Sequence, residues 1–323
     1  MPDLAVGAPS PVVLLSGPTA SGKTTLAVRL ARTLDAEIVS VDSGLVYRRL
    51  DIGTAKPTLE ERGGVVHHLI DVREPFEPYS AAAFVDDAVA AIADIHARGR
   101  RVLLVGGTLL YVRALEQGLA PLPAADPSVR AAIASEAARR GWPALHEDLA
   151  RVDPAAAARI HPNDPQRLQR ALEVFRLSGR PLSELQRATV SRLDAPLLKL
   201  ALVPDSRAWL HARIARRLEA MVAAGFLDEV RALRAEPRVH AALPSMRSVG
   251  YRQALEHLEA GLVDDSPDWT ARATAATRQL AKRQLTWLRG MDAFHRVSCD
   301  TLNEDAQAAA CLAHLTQSGF SLS

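Results

Sequence analysis

Gly17-Pro18-Thr19-Ala20-Ser21-Gly22-Lys23-Thr24 fits G-x-x-x-x-G-K-[ST] without deviation, and few folds can accommodate this stretch. It follows the apolar run Val12-Val13-Leu14-Leu15 and precedes a helical pattern from Thr24 to Leu34. That strand–loop–helix order is what the motif requires: the loop turns successive backbone N–H groups onto phosphate oxygens, and the helix N-terminus adds its positive dipole end. Lys23 brings a cation, and the Thr24 hydroxyl is a ligand for Mg²⁺. The motif points to phosphate binding without saying which phosphate compound.

Around it, short apolar runs alternate with longer helical patterns, the sequence form of a parallel sheet flanked by helices. Strands are expected at Glu37 to Val41, Arg101 to Val105 and Leu197 to Val203, and helices at Ser80 to Ala97, Ser206 to Ala224 and Thr270 to Leu288. The strands end at Ser16-Gly17, Asp42-Ser43 and Gly106-Gly107-Thr108, and ligands of parallel sheets gather beyond such ends. From Pro127 to about Gln186 only helical patterns occur, broken at Gly141, Pro154, Pro162 and Gly179. The fold class expected is therefore α/β, a P-loop NTPase-like parallel sheet with an all-helical insertion. Its parts are a first core segment over 1–122, the insertion over 123–196, and a second core segment with basic C-terminal helices over 197–323.

Hydrophobic residues make up 48% of the chain and charged ones 24%, which suits a globular core and excludes disorder. A formal net charge of +2 argues neither for nor against nucleic acid. Four lysines (Lys23, Lys56, Lys199, Lys282) stand against 35 arginines, so most single arginines are read as solvated surface. Cys299 and Cys311 form neither a zinc pattern nor a disulfide framework. Adjacent His67 and His68 point different ways on a strand and are read as structural. No signal segment or membrane-length apolar run is present, so a cytoplasmic location is expected.

Asp42 is expected at the carboxyl edge of its strand, within reach of whatever the P-loop holds, as a proton acceptor or a holder of a metal-bound water. Nine ordered segments narrow the chemistry: GPTASGKT (17–24), DSGLVYR (42–48), DIGTAKP (51–57), HHLIDV (67–72), YSAAAF (79–84), LVGGTLLYV (104–112), RIHPNDPQRLQRALEV (159–174), GYRQAL (250–255) and TRQLAKRQLTWLR (277–289). In this set the chain resembles the tRNA dimethylallyltransferase family (IPP transferases) over nearly its whole length. The resemblance implies transfer of the five-carbon group of dimethylallyl diphosphate to N6 of the adenine immediately 3′ of the anticodon in tRNA, with Mg²⁺ and release of diphosphate. It further implies Asp42 as general base, Thr108 as a positioning group, and Lys23 with Arg217 as diphosphate cations, Arg213 and Arg216 standing beside the last.

The partners implied are the tRNA anticodon loop and dimethylallyl diphosphate, on a monomeric enzyme with no membrane association. Base flipping requires contacts around the extracted nucleotide. Candidates, besides Asp42 and Thr108, are Ser43, Gly44 and Leu45, then Arg130, then Gln166, Arg167, Leu168, Gln169 and Arg170. Arg247, Ser248, Val249, Gly250, Tyr251 and Arg252 follow, with Tyr251 read as a stacking aromatic. Arg278, Lys282, Arg283 and Trp287 complete the set. Leu45 departs from the family, which usually has Gln there; leucine cannot bond an adenine edge, so base readout at this point is apolar or belongs to another group.

Three other readings start from the same motif. A free-nucleotide prenyltransferase would not need the insertion or the basic segments. A P-loop small-molecule kinase would use Asp42 on an acceptor hydroxyl. A non-catalytic tRNA-binding protein would have no reason to keep Lys23, Thr24 and Asp42 together.

Overall fold

Val12–Ser16 (β1) sends alternate side chains to two separate cores. Val12 and Leu14 join one cluster and Val13 and Leu15 the other, all at 1% exposure or less. A strand covered on both faces shows an unbroken apolar run, which is why VVLL carries no alternation. The computed structural model describes residues 10–187, 189–262, 267–291 and 293–321. After β1 come α1 (Lys23–Leu34), β2 (Ala36–Ser40), α2 (Leu59–Arg62), β3 (His67–His68), α3 (Ala81–Ala97), β4 (Arg101–Gly106) and α4 (Leu109–Gln117). Then follow α5 (Pro127–Arg140), α6 (Trp142–Val152), α7 (Pro154–Ala157), α8 (Pro165–Ser178) and α9 (Leu182–Leu185). The chain returns through β5 (Leu197–Val203), α10 (Arg207–Ala223), α11 (Phe226–Arg234), α12 (Tyr251–Glu259), α13 (Pro267–Gly290), β6 (Phe294–Ser298) and α14 (Glu304–Gln317).

All six strands are parallel, in the order β3-β2-β4-β1-β5-β6. Register aligns Ser16 with Gly106 and Ser40 with Val105, so the loops that open at Gly17, Val41 and Gly107 leave the same edge side by side. Gly106 permits this: a Cβ there would sit 2.0 Å from Val41 O. β3 and β6 are edge strands that apolar patterning does not predict. The first is two residues long, and the second, FHRVS, carries His295 and Arg296, as edge strands often carry charge.

The chain divides into two compact units: residues up to Glu116 together with Leu193 onward, and Gln117–Arg192, where the sequence led to 123–196 for the insertion. The second unit is helical, α5 to α9, around Ile133, Leu145, Leu149, Leu168, Leu172 and Val174. Its helices start where the sequence signals it. Asp126, Asp153 and Asp164 cap α5, α7 and α8, each followed by proline at the first helical position. The basic residues of the C-terminal region lie on α13, since α14 carries neither Lys nor Arg.

Candidate active site

The P-loop occupies the turn from β1 into α1. Gly22 (φ 96°) caps the helix, and Ala20 (φ 63°) takes the left-handed conformation that non-glycine residues avoid. Ala20 is held there by packing against Leu210 and Ile214 of α10 and Ala281 of α13, and Arg213 Nε donates to its carbonyl at 2.9 Å. Gly17 is needed for closeness, as a Cβ would meet Leu202 O at 2.4 Å. Ser21 Oγ is buried with no hydrogen-bond partner among the described residues, leaving a donor in the loop unsatisfied. Lys23 Nζ donates to Pro18 O at 2.7 Å. Burial pulls the Lys23 ammonium down to about 8, Arg217 pulls the same way, and Asp42 opposes both.

Asp42 follows β2. Its Oδ1 accepts the N–H groups of Gly44 at 2.8 Å and Leu45 at 3.3 Å, an Asx-type turn that fixes the carboxylate. Ser43 N donates to Thr108 Oγ1 at 3.1 Å, and Thr108 N to Val41 O at 3.2 Å. Leu45 contributes through its backbone, donating to Asp42 and accepting from Asp71 N. The next loop is pinned by two charges that sequence reading passed over. Glu229 of α11 accepts from the N–H groups of Asp51, Ile52 and Gly53 and from the Tyr251 hydroxyl. Lys56 Nζ donates to Tyr47 O, Asp51 and Asp71.

Of the three arginines on α10, Arg217 faces the loop from within. Its Nη1 lies 3.4 Å from Thr19 Oγ1 and its Nη2 donates to Thr54 O at 3.2 Å. Arg213 props Ala20 and stacks on Trp209, and Arg216 is exposed. One cavity of about 620 Å³ joins these parts. Thr19, Ala20, Lys23 and Thr24 line it on one side, and Asp42, Ser43, Gly44, Leu45 and Thr108 on another. Ile214, Leu218, Met221 and Phe226 supply an apolar wall. Thr277, Leu280, Gln284 and Trp287, spaced along one face of α13, complete it together with Arg247 and Arg283. A second opening of about 440 Å³ runs along the P-loop between Ser21, Lys23, Thr24 and the three arginines.

Some expectations need correction. Tyr251 is fully buried, edge-on against Phe226 with its hydroxyl on Glu229, so it packs in the wall behind the cavity and is not a free stacking platform. Leu168 is likewise core in the helical unit. There Arg130 and Arg170 are paired with Glu173, which is fully buried, and Arg170 also donates to Pro123 O. Burial would raise the Glu173 carboxyl, but the hydrogen bonds from Arg130 and Arg170 prevail and hold it below the usual range. Gln169 donates to Arg130 O, while Gln166 and Arg167 are exposed. Arg252, Arg278 and Lys282 of the core unit are exposed too, Arg252 at 4.0 Å from Glu256. Ser248, Val249 and Gly250 reach the cavity. His67 bonds Val65 O and His68 bonds Glu37, so both histidines are tied into the fold. No helix among the described residues is long and apolar enough to cross a membrane.

Gln284 is a cavity residue that sequence reading missed, as it missed the apolar wall of Ile214, Leu218, Met221 and Phe226. Only the place of Gln284 inside the TRQLAKRQLTWLR segment hinted at a role.

Residues 45–291 match the family described as IPP transferase. The chain is 59% identical to the tRNA dimethylallyltransferase of Stenotrophomonas maltophilia (strain R551-3) over 86% of its own length and 89% of that protein. It is 57% identical to the enzyme of the same name from Methylibium petroleiphilum, over 92% of this chain and 91% of that one. Among solved structures it resembles the tRNA isopentenylpyrophosphate transferase of Bacillus halodurans, with a TM-score of 0.69, 36% identity and 96% of each chain covered. A eukaryotic dimethylallyltransferase acting on tRNA superposes with a TM-score of 0.78 at 26% identity, over 97% of this chain and 80% of that one.

Proposed function

The chain belongs to the IPP transferase family, and from that premise we infer that it transfers the dimethylallyl group of dimethylallyl diphosphate to N6 of the adenine immediately 3′ of the anticodon in tRNA. What supports the reading most is the shared cavity, in which phosphate-binding elements, a carboxylate and an apolar wall open onto one space. The wall of Leu218, Met221 and Phe226 suits a five-carbon apolar chain.

In this reading the diphosphate lies on the P-loop, taken by its amides, the unsatisfied Ser21 hydroxyl, Lys23 and Arg217. The carbon–oxygen bond to diphosphate breaks as the N6–carbon bond forms, and the lost N6 proton goes to Asp42, whose Oδ1 is already fixed by two N–H groups. Thr108 holds the Asp42 loop in place through Ser43 and presents its hydroxyl to the same space. Lys23 and Arg217 neutralise charge developing on the leaving group. Mg²⁺ fits the donor set, because Thr24 is exposed toward the cavity and its hydroxyl makes no hydrogen bond among the described residues. Bound beside the diphosphate through Thr24, it would supply further charge neutralisation.

Exposed Arg278 and Lys282 of α13, and Gln166 and Arg167 of the helical unit, serve tRNA phosphates in this reading, with Arg283 and Trp287 nearer the flipped base. The protein is proposed to work as a monomer. The test is mass spectrometry of tRNA incubated with protein, Mg²⁺ and dimethylallyl diphosphate. One dimethylallyl group on the adenine 3′ of the anticodon is the expected product. ATP consumption coupled to phosphorylation of a small acceptor would establish the kinase reading instead.

A further inference from the structure

Gln284 joins the two sides of the cavity. Its Oε1 accepts the N–H of Thr19, in the P-loop, at 2.8 Å, and its Nε2 donates to the carbonyl of Gly107 at 3.0 Å. One partner is a backbone donor and the other a backbone acceptor, so only one orientation of the amide satisfies both. Gly107 precedes Thr108, and a Cβ at Gly107 would lie 2.4 Å from Gln284 Nε2, so the approach depends on glycine there. Thr19 is gripped a second time by Arg217 at its hydroxyl.

We propose that Gln284 is a positioning residue that sets the gap between the diphosphate loop and the loop bearing Thr108, and with it the distance between leaving group and nucleophile. The proposal rests on the function inferred above. Of the two amide side chains, which present an acceptor and a donor from one planar, uncharged group, asparagine is a methylene shorter than glutamine. Glutamate would keep the bond to Thr19 but set a second oxygen against the Gly107 carbonyl and add negative charge beside the diphosphate. Lysine would leave the Thr19 N–H without its acceptor. Ala281, one turn before Gln284, packs on Ala20, so α13 already lies against the P-loop without the amide. The amide therefore adjusts a contact that packing has made, and its loss should change alignment more than fold.

The experiment uses Gln284→Met, of similar length with neither hydrogen bond, and Gln284→Glu, which keeps one, in the tRNA dimethylallylation assay. Small misalignments of reacting groups cost up to about 100-fold. The expected result for Gln284→Met is therefore a fall in kcat of roughly 10- to 100-fold, with KM for dimethylallyl diphosphate and affinity for tRNA within about threefold of the parent and an unchanged melting temperature. Gln284→Glu should in addition raise KM for the donor through its charge. A kcat within twofold of the parent in Gln284→Met overturns the proposal. A joint collapse of melting temperature and both affinities also overturns it, since that is a structural role. If the parent itself forms no dimethylallylated tRNA, the functional reading falls and this inference falls with it.

Discussion

The hydroxyl oxygen of Thr108 accepts the backbone N–H of Ser43 at 3.1 Å, tying the end of β4 to the loop that begins with Asp42. Asp42 Oδ1 then takes two N–H groups of that same loop, so the carboxylate is aimed by backbone geometry before any substrate arrives. A base held this way should be replaceable in shape but not in proton affinity.

Asp42→Asn is expected to lower kcat by about 10² to 10⁴, the usual contribution of a general base, with affinity for both substrates roughly preserved. Steady-state kinetics alongside direct binding of each substrate decides it. Collapse of donor affinity together with kcat would show that Asp42 acts through metal or loop positioning. A fall below about tenfold would transfer proton removal to water or another residue.

Lys23 gives a pH prediction with a definite sign. With its ammonium lowered to about 8 in the ligand-free site, binding of diphosphate raises it again. Binding therefore takes up a proton above that value. Donor affinity should be level just below about pH 8 and weaken by up to about tenfold per pH unit above it. Calorimetric titration across that range measures it. Lys23→Ala should lose the alkaline limb along with about 10²-fold or more in kcat. A wild-type affinity that stays flat up to about pH 9.5 would mean either that the Lys23 ammonium is not lowered in the free site or that its charge contributes nothing to binding.

Arg278 and Lys282 are exposed one turn apart on α13. Arg278→Ala with Lys282→Ala should weaken tRNA binding and flatten its salt dependence by about one to two units of log–log slope, as fewer counterions are displaced. Affinity for dimethylallyl diphosphate should hardly change. Normal tRNA binding at every salt concentration would reduce that face to ordinary surface.

Glu173 tests the helical unit. Glu173→Ala leaves Arg130 and Arg170 without their carboxylate and the Asp126 N–H without its acceptor. Because both arginines are partly exposed, water recovers some of the loss, and the expected destabilisation is about 2–4 kcal/mol. Calorimetric melting should show it. A variant that melts like its parent would mean that solvation of the freed arginines fully compensates.

The strand ends were legible in the sequence because each is an apolar run followed at once by glycine or a small polar residue. That pattern located Gly17, Asp42 and Thr108, and parallel register then brought them together. Arg217 lies outside the family segments and came from the family resemblance alone, and geometry separates it from Arg213 and Arg216. Arginine pairing was illegible in the sequence. Arg130 and Arg170 read like Arg167 until the buried Glu173 between them is seen, 43 residues from one and three from the other. Tyr251 follows Gly250 in a basic segment and reads as a stacking aromatic. Its burial depends on Phe226 and Glu229, from an element that carries no motif.

The placement of β1 between β4 and β5 bears on how the chain is made. As the polypeptide leaves the ribosome, β1 gains β4 as a partner once Gly106 has emerged. Its other flank must wait for Leu197–Val203, after the entire helical unit has been synthesised. That unit has a hydrophobic cluster of its own and can fold during the interval. Until β5 arrives, the strand leading into the P-loop presents an unpaired edge, the kind that invites pairing with other chains. A nascent chain stalled after Arg192 should therefore be the aggregation-prone form, and the finished chain, in which β5 and then β6 cover that flank, should not.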